Sequence, residues 1–280
     1  VNIVGNPNVG KSTLMNQLVG EKLSIATFKA QTTRHRIMGI VNTDDAQIVF
    51  SDTPGVLKPN YKMQEMMLQF SESALADADI LLYVTDVVEN PEKNMDFLDK
   101  VSKMTIPVIL LINKIDESDQ KKLGNLVETW HKLLPNAEIL PLSAKNKFGI
   151  DILMKRILEL LPESPAFFDK DQLTDKPAKF FVSEIIREKI LRYYDKEIPY
   201  SVEVVIERFK EDDRQIHINA IIYVERSSQK GIIIGHQGMA LKKVSTEARK
   251  SLERFFDKKI FLETYVKVEK ELNNFGYNPE

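Results

Sequence analysis

The chain has 280 residues, 43% hydrophobic and 29% charged, with a formal net charge of −2; this is material for about two cores of an ordinary soluble protein and argues against a general polyanion binder. It contains no cysteine, which excludes disulfides, thiolate metal sites and cysteine catalysis, and its four histidines, His35, His131, His217 and His236, are too scattered for a zinc site. Apolar runs such as Ile80 to Val84 and Val108 to Ile112 are far shorter than the roughly 20 residues of a membrane span, so they read as buried parallel strands. Val1 already lies inside the first apparent strand; the natural start is expected upstream, and no N-terminal signal is read from it.

The strand Val1 to Val4 runs directly into Gly5-Asn6-Pro7-Asn8-Val9-Gly10-Lys11-Ser12, which has the spacing of a phosphate-binding loop. The glycines permit a tight turn whose N–H groups face phosphate oxygens, and the helix predicted over Thr13 to Leu18 begins where an anion would sit. Lys11 would reach the β- and γ-phosphates, and the Ser12 hydroxyl would ligate Mg²⁺. Residues 21 to 36 are polar and without periodicity, a loop that contains Gln31-Thr32-Thr33-Arg34; a threonine there can meet Mg²⁺ and the γ-phosphate only when a triphosphate is present. Ile37 to Val41 and Ala46 to Phe50 flank the turn Asn42 to Asp45 as a hairpin, and the second strand ends in Asp52-Thr53-Pro54-Gly55. Asp52 can hold the water shell of Mg²⁺, and Gly55 can offer its N–H to the γ-phosphate, so Lys11, Thr33 and Gly55 are the candidate catalytic groups.

Further along, helices are predicted over Met63 to Ala76, Met95 to Met104, Lys122 to Leu134 and Ile150 to Leu161, alternating with strands at Asp79 to Thr85, Pro107 to Ile112 and Ala137 to Leu142. The strand at Pro107 ends in Asn113-Lys114-Ile115-Asp116. Asp116 can accept hydrogen bonds from the ring N–H and the amino group of guanine, a donor pair that adenine lacks, which disfavours an ATPase. Asn113 would tie this loop to the phosphate loop, the Lys114 stem would pack against the base, and in Ser143-Ala144-Lys145 the Ala144 N–H would face guanine O6. Strands alternating with helices, with active groups at the strands' carboxyl ends, predict an α/β open sheet with helices on both faces.

These five motifs make residues 1–162 resemble the translation-factor-related class of small GTPases. The resemblance implies Mg²⁺-dependent hydrolysis of GTP to GDP and phosphate. It implies a nucleotide site made of Asn6, Pro7, Asn8, Val9, Gly10, Lys11, Ser12, Thr13, Asp52, Gly55 and the Asn113 and Ser143 motifs, with Ser12, Thr33 and Asp52 around the metal. Better-known members carry a glutamine after the third motif to orient the attacking water; here that position is Val56, so slow intrinsic hydrolysis is expected. Asn8 matches an asparagine that helps bind K⁺ in potassium-activated relatives, which makes K⁺ a candidate activating ion.

Residues 163–178, with Pro165 and Pro177 and the pair Phe167-Phe168, read as a linker to a second domain over 179–280. The charge differs mildly between the parts: from Lys179 onward the net is +2, and before it −4. The second domain reads as a helix over Phe180 to Leu191, strands over Ser201 to Phe209 and Gln215 to Val224, a short apolar segment before Gly235-His236-Gln237-Gly238, a helix over Met239 to Phe256 and a last strand over Lys259 to Val268. This order resembles an α+β type II KH module, whose Gly-Xaa-Xaa-Gly loop clamps the backbone of about four single-stranded nucleotides. It implies RNA contacts from Lys230, Gly235, His236, Gln237, Gly238, Lys242 and Lys243, although His236 and Gln237 stand where such loops commonly carry a basic residue.

Taken whole, with Gln31 to Arg36 as the first switch, the chain resembles a family of bacterial GTPases that end in a type II KH domain. That resemblance implies GTP and GDP as ligands, binding near the 3′ end of small-subunit ribosomal RNA, and assistance to assembly of the 30S subunit. A cytoplasmic monomer with peripheral association at the inner face of the cell membrane is also implied. The alternative is an RNA-binding scaffold in which GTP is structural and turnover incidental.

Overall fold

The computed structural model describes residues 1–269 apart from 28, 30, 31, 60 and 61, so Gln31 and the end of the KH segment from 270 lie outside the described residues. The chain forms two compact units, Val1–Asp175 and Lys176–Glu280.

In the first unit β1 (Asn2–Gly5), β3 (Gln47–Asp52), β4 (Leu81–Asp86), β5 (Val108–Asn113) and β6 (Glu138–Pro141) run parallel, and β2 (Ile37–Asn42) pairs antiparallel with β3 at the edge, in the order β2-β3-β1-β4-β5-β6. β4 is buried at every position and β5 at all but its first, which explains their unbroken apolar sequence: helices cover both faces. α1 (Lys11–Val19) and α5 (Ile150–Leu160) pack on one face, with Leu14, Met15, Leu18, Leu153 and Ile157 in a common core. α2 (Lys62–Ala76), α3 (Met95–Ser102) and α4 (Gln120–Leu133) supply the other face, with Ala74, Phe97, Leu98, Val101 and Trp130. The five parallel strands deliver their carboxyl ends to one rim, where all the predicted motifs lie.

The linker stretch behaves differently from a free connector. The Gln47 side chain bonds the backbone of Phe167 and Phe168 at 2.8–2.9 Å, Ile40 N–H donates to Leu173 O at 2.8 Å, and Thr174 Oγ1 donates to Met38 O at 2.7 Å. Residues 167–175 therefore cover the open edge of β2, satisfying strand groups that would otherwise invite another chain. Backbone groups and the Gln47 and Thr174 side chains do this docking; the Phe167 ring stays exposed.

In the second unit α6 (Ala178–Tyr193), β7 (Val202–Glu211), β8 (Gln215–Val224), α7 (Ser227–Ile234), α8 (Met239–Phe256) and β9 (Lys259–Val268) follow in that order. β7 and β8 are antiparallel, β8 and β9 parallel, in the order β7-β8-β9. Ile186 and Ile190 of α6, Val244, Ala248 and Leu252 of α8 and Ile216, Ile218 and Ile222 of β8 share one core. The apolar run before Gly235 is thus the helix α7. α6 is buried nearly all round rather than on one stripe, and its buried charges pair, Arg187 with Glu184 at 2.7 Å and Lys189 with Glu188 at 3.1 Å. No described helix is long and apolar enough to cross a membrane.

Candidate nucleotide site and nucleic-acid interface

The phosphate loop closes on itself through Lys11. Its ammonium, almost fully buried, donates to Gly5 O at 3.0 Å and Asn6 O at 2.8 Å, and desolvation lowers its pKa to about 8. Gly10 caps α1 in the left-handed region, and a Cβ there would sit 2.2 Å from Asn113 Nδ2, so only glycine fits. Asn8 is also left-handed (φ 67°) with an exposed side chain. Gly55 lies so close over Pro7 that an added Cβ would approach Pro7 Cα at 2.7 Å, which brings the third motif onto the phosphate loop. Val56 N–H then donates to Gly5 O at 3.0 Å, and the Val56 side chain is buried in the core with Tyr83 and Phe97. The residue in the glutamine position therefore turns away from the phosphates as well as lacking an amide.

Ser12, Thr33 and Asp52 come together at a single point. Ser12 Oγ donates to Asp52 Oδ2 at 2.8 Å and, having one proton, accepts from Thr33 Oγ1 at 2.8 Å. Asp52 Oδ1 is buried with no partner, and burial raises the Asp52 pKa against the opposing pull of Lys11. Two hydroxyls and an unsatisfied carboxylate suit a hard, oxygen-seeking cation, so these residues fit Mg²⁺ held partly through its waters.

The base-binding loops are tied together by hydrogen bonds. Asn113 Nδ2 donates to Val9 O at 2.8 Å and its Oδ1 accepts Ala144 N–H at 3.0 Å, joining three motifs through one amide. The Ala144 N–H expected to face guanine O6 is thus taken up by Asn113. Ser143 Oγ donates to Asp116 Oδ1 at 2.6 Å and orients that carboxylate. Lys114, left-handed at φ 62°, donates to Asn8 O at 2.7 Å and to Asp86 Oδ2 at 2.5 Å. Thr13 is half-buried and Lys145 exposed.

Asp86 was not anticipated, although its position at the end of β4 repeats the logic of Asp52. Nor was Asn94, whose amide donates to Asn6 Oδ1 and, at 3.1 Å, to Val56 O, linking the phosphate loop to the third motif. It sits in the irregular turn before α3, where no sequence pattern marks it.

In the second unit the turn after α7 is built by conformation. Gly235 (φ 71°), Gln237 (φ 49°) and Gly238 (φ 76°) are all left-handed, and His236 and Gln237 project exposed. Tyr194 anchors the turn from behind: its hydroxyl donates to Ile233 O at 2.7 Å, and burial pushes its pKa up to about 12. Beside the turn lies a groove of about 350 Å³ lined by Gly238, Leu241, Lys242, Ser245, Thr246 and Arg249, with Leu262 and Thr264 of β9 across from them. Of the two adjacent lysines only Lys242 lines it; Lys243 lies over the Tyr193 ring, 4.4 Å from its centroid. Lys230 is on α7, outside the groove lining. Ser245, Thr246 and Arg249 follow Lys242 at helical spacing, a signal the sequence carries but that the motif does not flag.

Residues 1–114 match the family model described as "50S ribosome-binding GTPase", and residues 197–272 match the KH domain model. The chain is 44% identical to GTPase Era of Clostridium kluyveri over 273 residues, covering 97% of this chain and 93% of that protein. The chain belongs to the Era family of GTPases. Era of Leuconostoc citreum is likewise 44% identical, over 291 residues, covering 100% of this chain and 96% of its own. Among solved structures, Era in complex with MgGDPNP and nucleotides 1506–1542 of 16S ribosomal RNA superposes with a TM-score of 0.90 at 38% identity, covering 96% of this chain and 92% of that one. An Aquifex aeolicus Era variant bound to GDP·AlF₄⁻ gives 0.91 at 38% identity with the same coverage. The family supplies the activity of the first unit, GTP hydrolysis.

Proposed function

We propose that this Era-family protein is a slow, Mg²⁺-dependent GTP switch that engages small-subunit ribosomal RNA through the groove beside α8 and assists assembly of the small ribosomal subunit. Hydrolysis is assigned to residues 1–162 and RNA binding to 179–280. The observation that carries the reading is the convergence of Ser12, Thr33 and Asp52 at one point, with Asp116 and Ser143 coupled in the base-binding loops.

Bound Mg²⁺ would draw charge from the phosphate oxygens. Lys11, held by Gly5 O and Asn6 O, would neutralise the β- and γ-phosphates, and the Gly55 N–H would meet charge developing on the γ-phosphate. No side chain at Val56 orients the attacking water, which favours a slow intrinsic rate. Asn8, exposed on the left-handed part of the loop, is assigned as a K⁺ ligand that supplies charge an arginine finger gives elsewhere.

The reading is tested by GTP turnover with and without an RNA spanning nucleotides 1506–1542 of 16S ribosomal RNA, the segment seen with the related Era. Slow turnover that changes with this RNA is expected. No turnover under either condition leaves the RNA scaffold as the answer. Equal rates in Na⁺ and K⁺, or an undiminished K⁺ response in Asn8→Ala, would remove the K⁺ assignment alone.

A further inference from the structure

Ser24, in the loop after α1, is fully buried, and its hydroxyl completes no hydrogen bond. Asp52 Oδ1 is in the same condition, while Oδ2 accepts from Ser12 at 2.8 Å. Both are tied to the start of α1, Asp52 through Ser12 and Ser24 through Asn16 one turn further along. Buried polar groups left without partners are few in native proteins and mark places where a water or ion completes the set.

The position of Ser24 is built rather than incidental. Asn16 lies four residues after Ser12 on α1, hence on the same helix face. Its Oδ1 accepts Leu23 N–H and Ser24 N–H, each at 2.9 Å, and its Nδ2 donates to Ser24 O at 2.7 Å. Two hydrogen bonds to Ser24 and one to Leu23, all from the helix that carries Ser12, thus fix the backbone from which the Ser24 hydroxyl projects.

We propose that Ser24 is a positioning residue for the magnesium site. Its hydroxyl donates to Asp52 Oδ1 when the metal's water shell fills the site, so that Oδ2 is aimed with Ser12 at the cation, and Asn16 holds Ser24 in place to do so. The inference rests on the reading of Ser12, Thr33 and Asp52 as the Mg²⁺ site.

The test uses the full chain bound to GDP, with Mn²⁺ as the probe and free Mn²⁺ followed by electron paramagnetic resonance. Partners that orient a metal-binding group contribute about 10- to 100-fold to metal affinity. Ser24→Ala is expected to weaken Mn²⁺ binding about tenfold, with GDP affinity in EDTA unchanged. Asn16→Ala should do the same, and the double variant should bind Mn²⁺ no more weakly than Asn16→Ala alone, since both act through one group. Unchanged Mn²⁺ affinity in Ser24→Ala overturns the inference, and so does an equal fall in metal-free GDP affinity, which would report a distorted phosphate loop. If the wild-type GDP complex takes up no Mn²⁺, the metal reading itself fails; if it does and Ser24→Ala matches it, only the role of Ser24 falls.

Discussion

At the nucleotide site the loops are bonded to one another: Asn113 joins the phosphate loop to Ala144, Lys114 joins it to Asp86, and Ser143 holds Asp116. Along the groove beside α8 the lining side chains mostly bond within their own helix, Ser245 to Leu241 O, Thr246 to Lys242 O and Arg249 to Glu253, with Ser245 to Thr264 the contact that crosses to β9. A site whose polar groups are interlocked across loops selects one ligand sharply, because a wrong ligand strands those partners. A site whose groups bond mostly within one helix reads a backbone by charge and shape, and each group contributes its own increment.

The contrast is broken most severely by Asp116→Asn. Asp116 is itself exposed, and only Ser143 behind it is buried. The amide of the variant would present a donor where guanine also donates, and a site built to hydrogen-bond its ligand rejects a mismatch by up to about 10⁴-fold; a GTP affinity loss of about 10³-fold is expected, with xanthosine triphosphate becoming the better ligand. Unchanged guanine selectivity in equilibrium titration would refute the assignment of Asp116. RNA affinity measured without nucleotide should stay as in the wild type.

Gly238→Asp comes next and acts on the other region. A Cβ at Gly238 meets nothing within 4 Å, and aspartate tolerates its left-handed φ of 76°, so the variant should fold. Its carboxylate at the mouth of the groove would face the RNA phosphates, and because like charges juxtaposed at an interface cost up to several kcal/mol, a loss of at least about tenfold in RNA affinity is expected, with GTP affinity spared. Gly235→Ala is a poorer probe: its Cβ would stand 2.6 Å from Ala240 Cβ, so lost RNA binding there would report a distorted turn. Loss of GTP and RNA binding together in Gly238→Asp would mean misfolding and void the contrast.

The same difference governs what the sequence discloses. The nucleotide loops are continuous stretches at strand ends, so Lys11, Ser12, Asp52, Asn113 and Asp116 were readable from spacing and apolar context. Of the hydrogen bonds between loops only the tie from Asn113 to the phosphate loop was read; the Asn113 to Ala144 bond, the Lys114 to Asp86 pair and the Asn94 bridge were not, and they join residues 31, 28 and 88 positions apart. The fold was legible because β4 and β5 alternate with helices and are buried on both faces. The covering of β2 by residues 167–175 was not, since it is made by backbone groups, Gln47 and Thr174 rather than by the aromatic pair Phe167-Phe168. In the KH unit the two glycines were readable, but the groove wall on β9 depends on which face of α8 turns towards it.

Proton linkage sharpens the nucleotide side of the comparison. In the ligand-free protein burial lowers Lys11 to about 8, whereas bound phosphate favours the charged ammonium and raises it again. Between those two values binding takes up a proton, so GDP affinity measured in EDTA should be flat below pH 8 and fall about tenfold per unit above it. Calorimetry at pH 9 in buffers of different ionisation enthalpy should show uptake approaching one proton. Affinity that is flat to pH 9.5 would place Lys11 fully charged in the empty site.

The smallest effect separates two neighbouring lysines. Lys242 lines the groove, exposed and without a side-chain hydrogen bond or ion pair among the described residues, whereas Lys243 rests on the Tyr193 ring at 4.4 Å. An exposed cation over an aromatic face gains only about 0.5–1 kcal/mol, so Lys243 is held weakly and on the side of α8 that meets Tyr193. Lys242→Ala should therefore lower RNA affinity a few-fold and make the slope of log K against log salt shallower by about 0.7, the share of one neutralised phosphate on a single strand. Lys243→Ala should leave that slope alone while slightly lowering the melting temperature. If the two substitutions change the slope equally, both ammonium groups reach the phosphates, and the groove recognises RNA by overall positive charge rather than through the face of α8 that carries Lys242, Ser245 and Arg249.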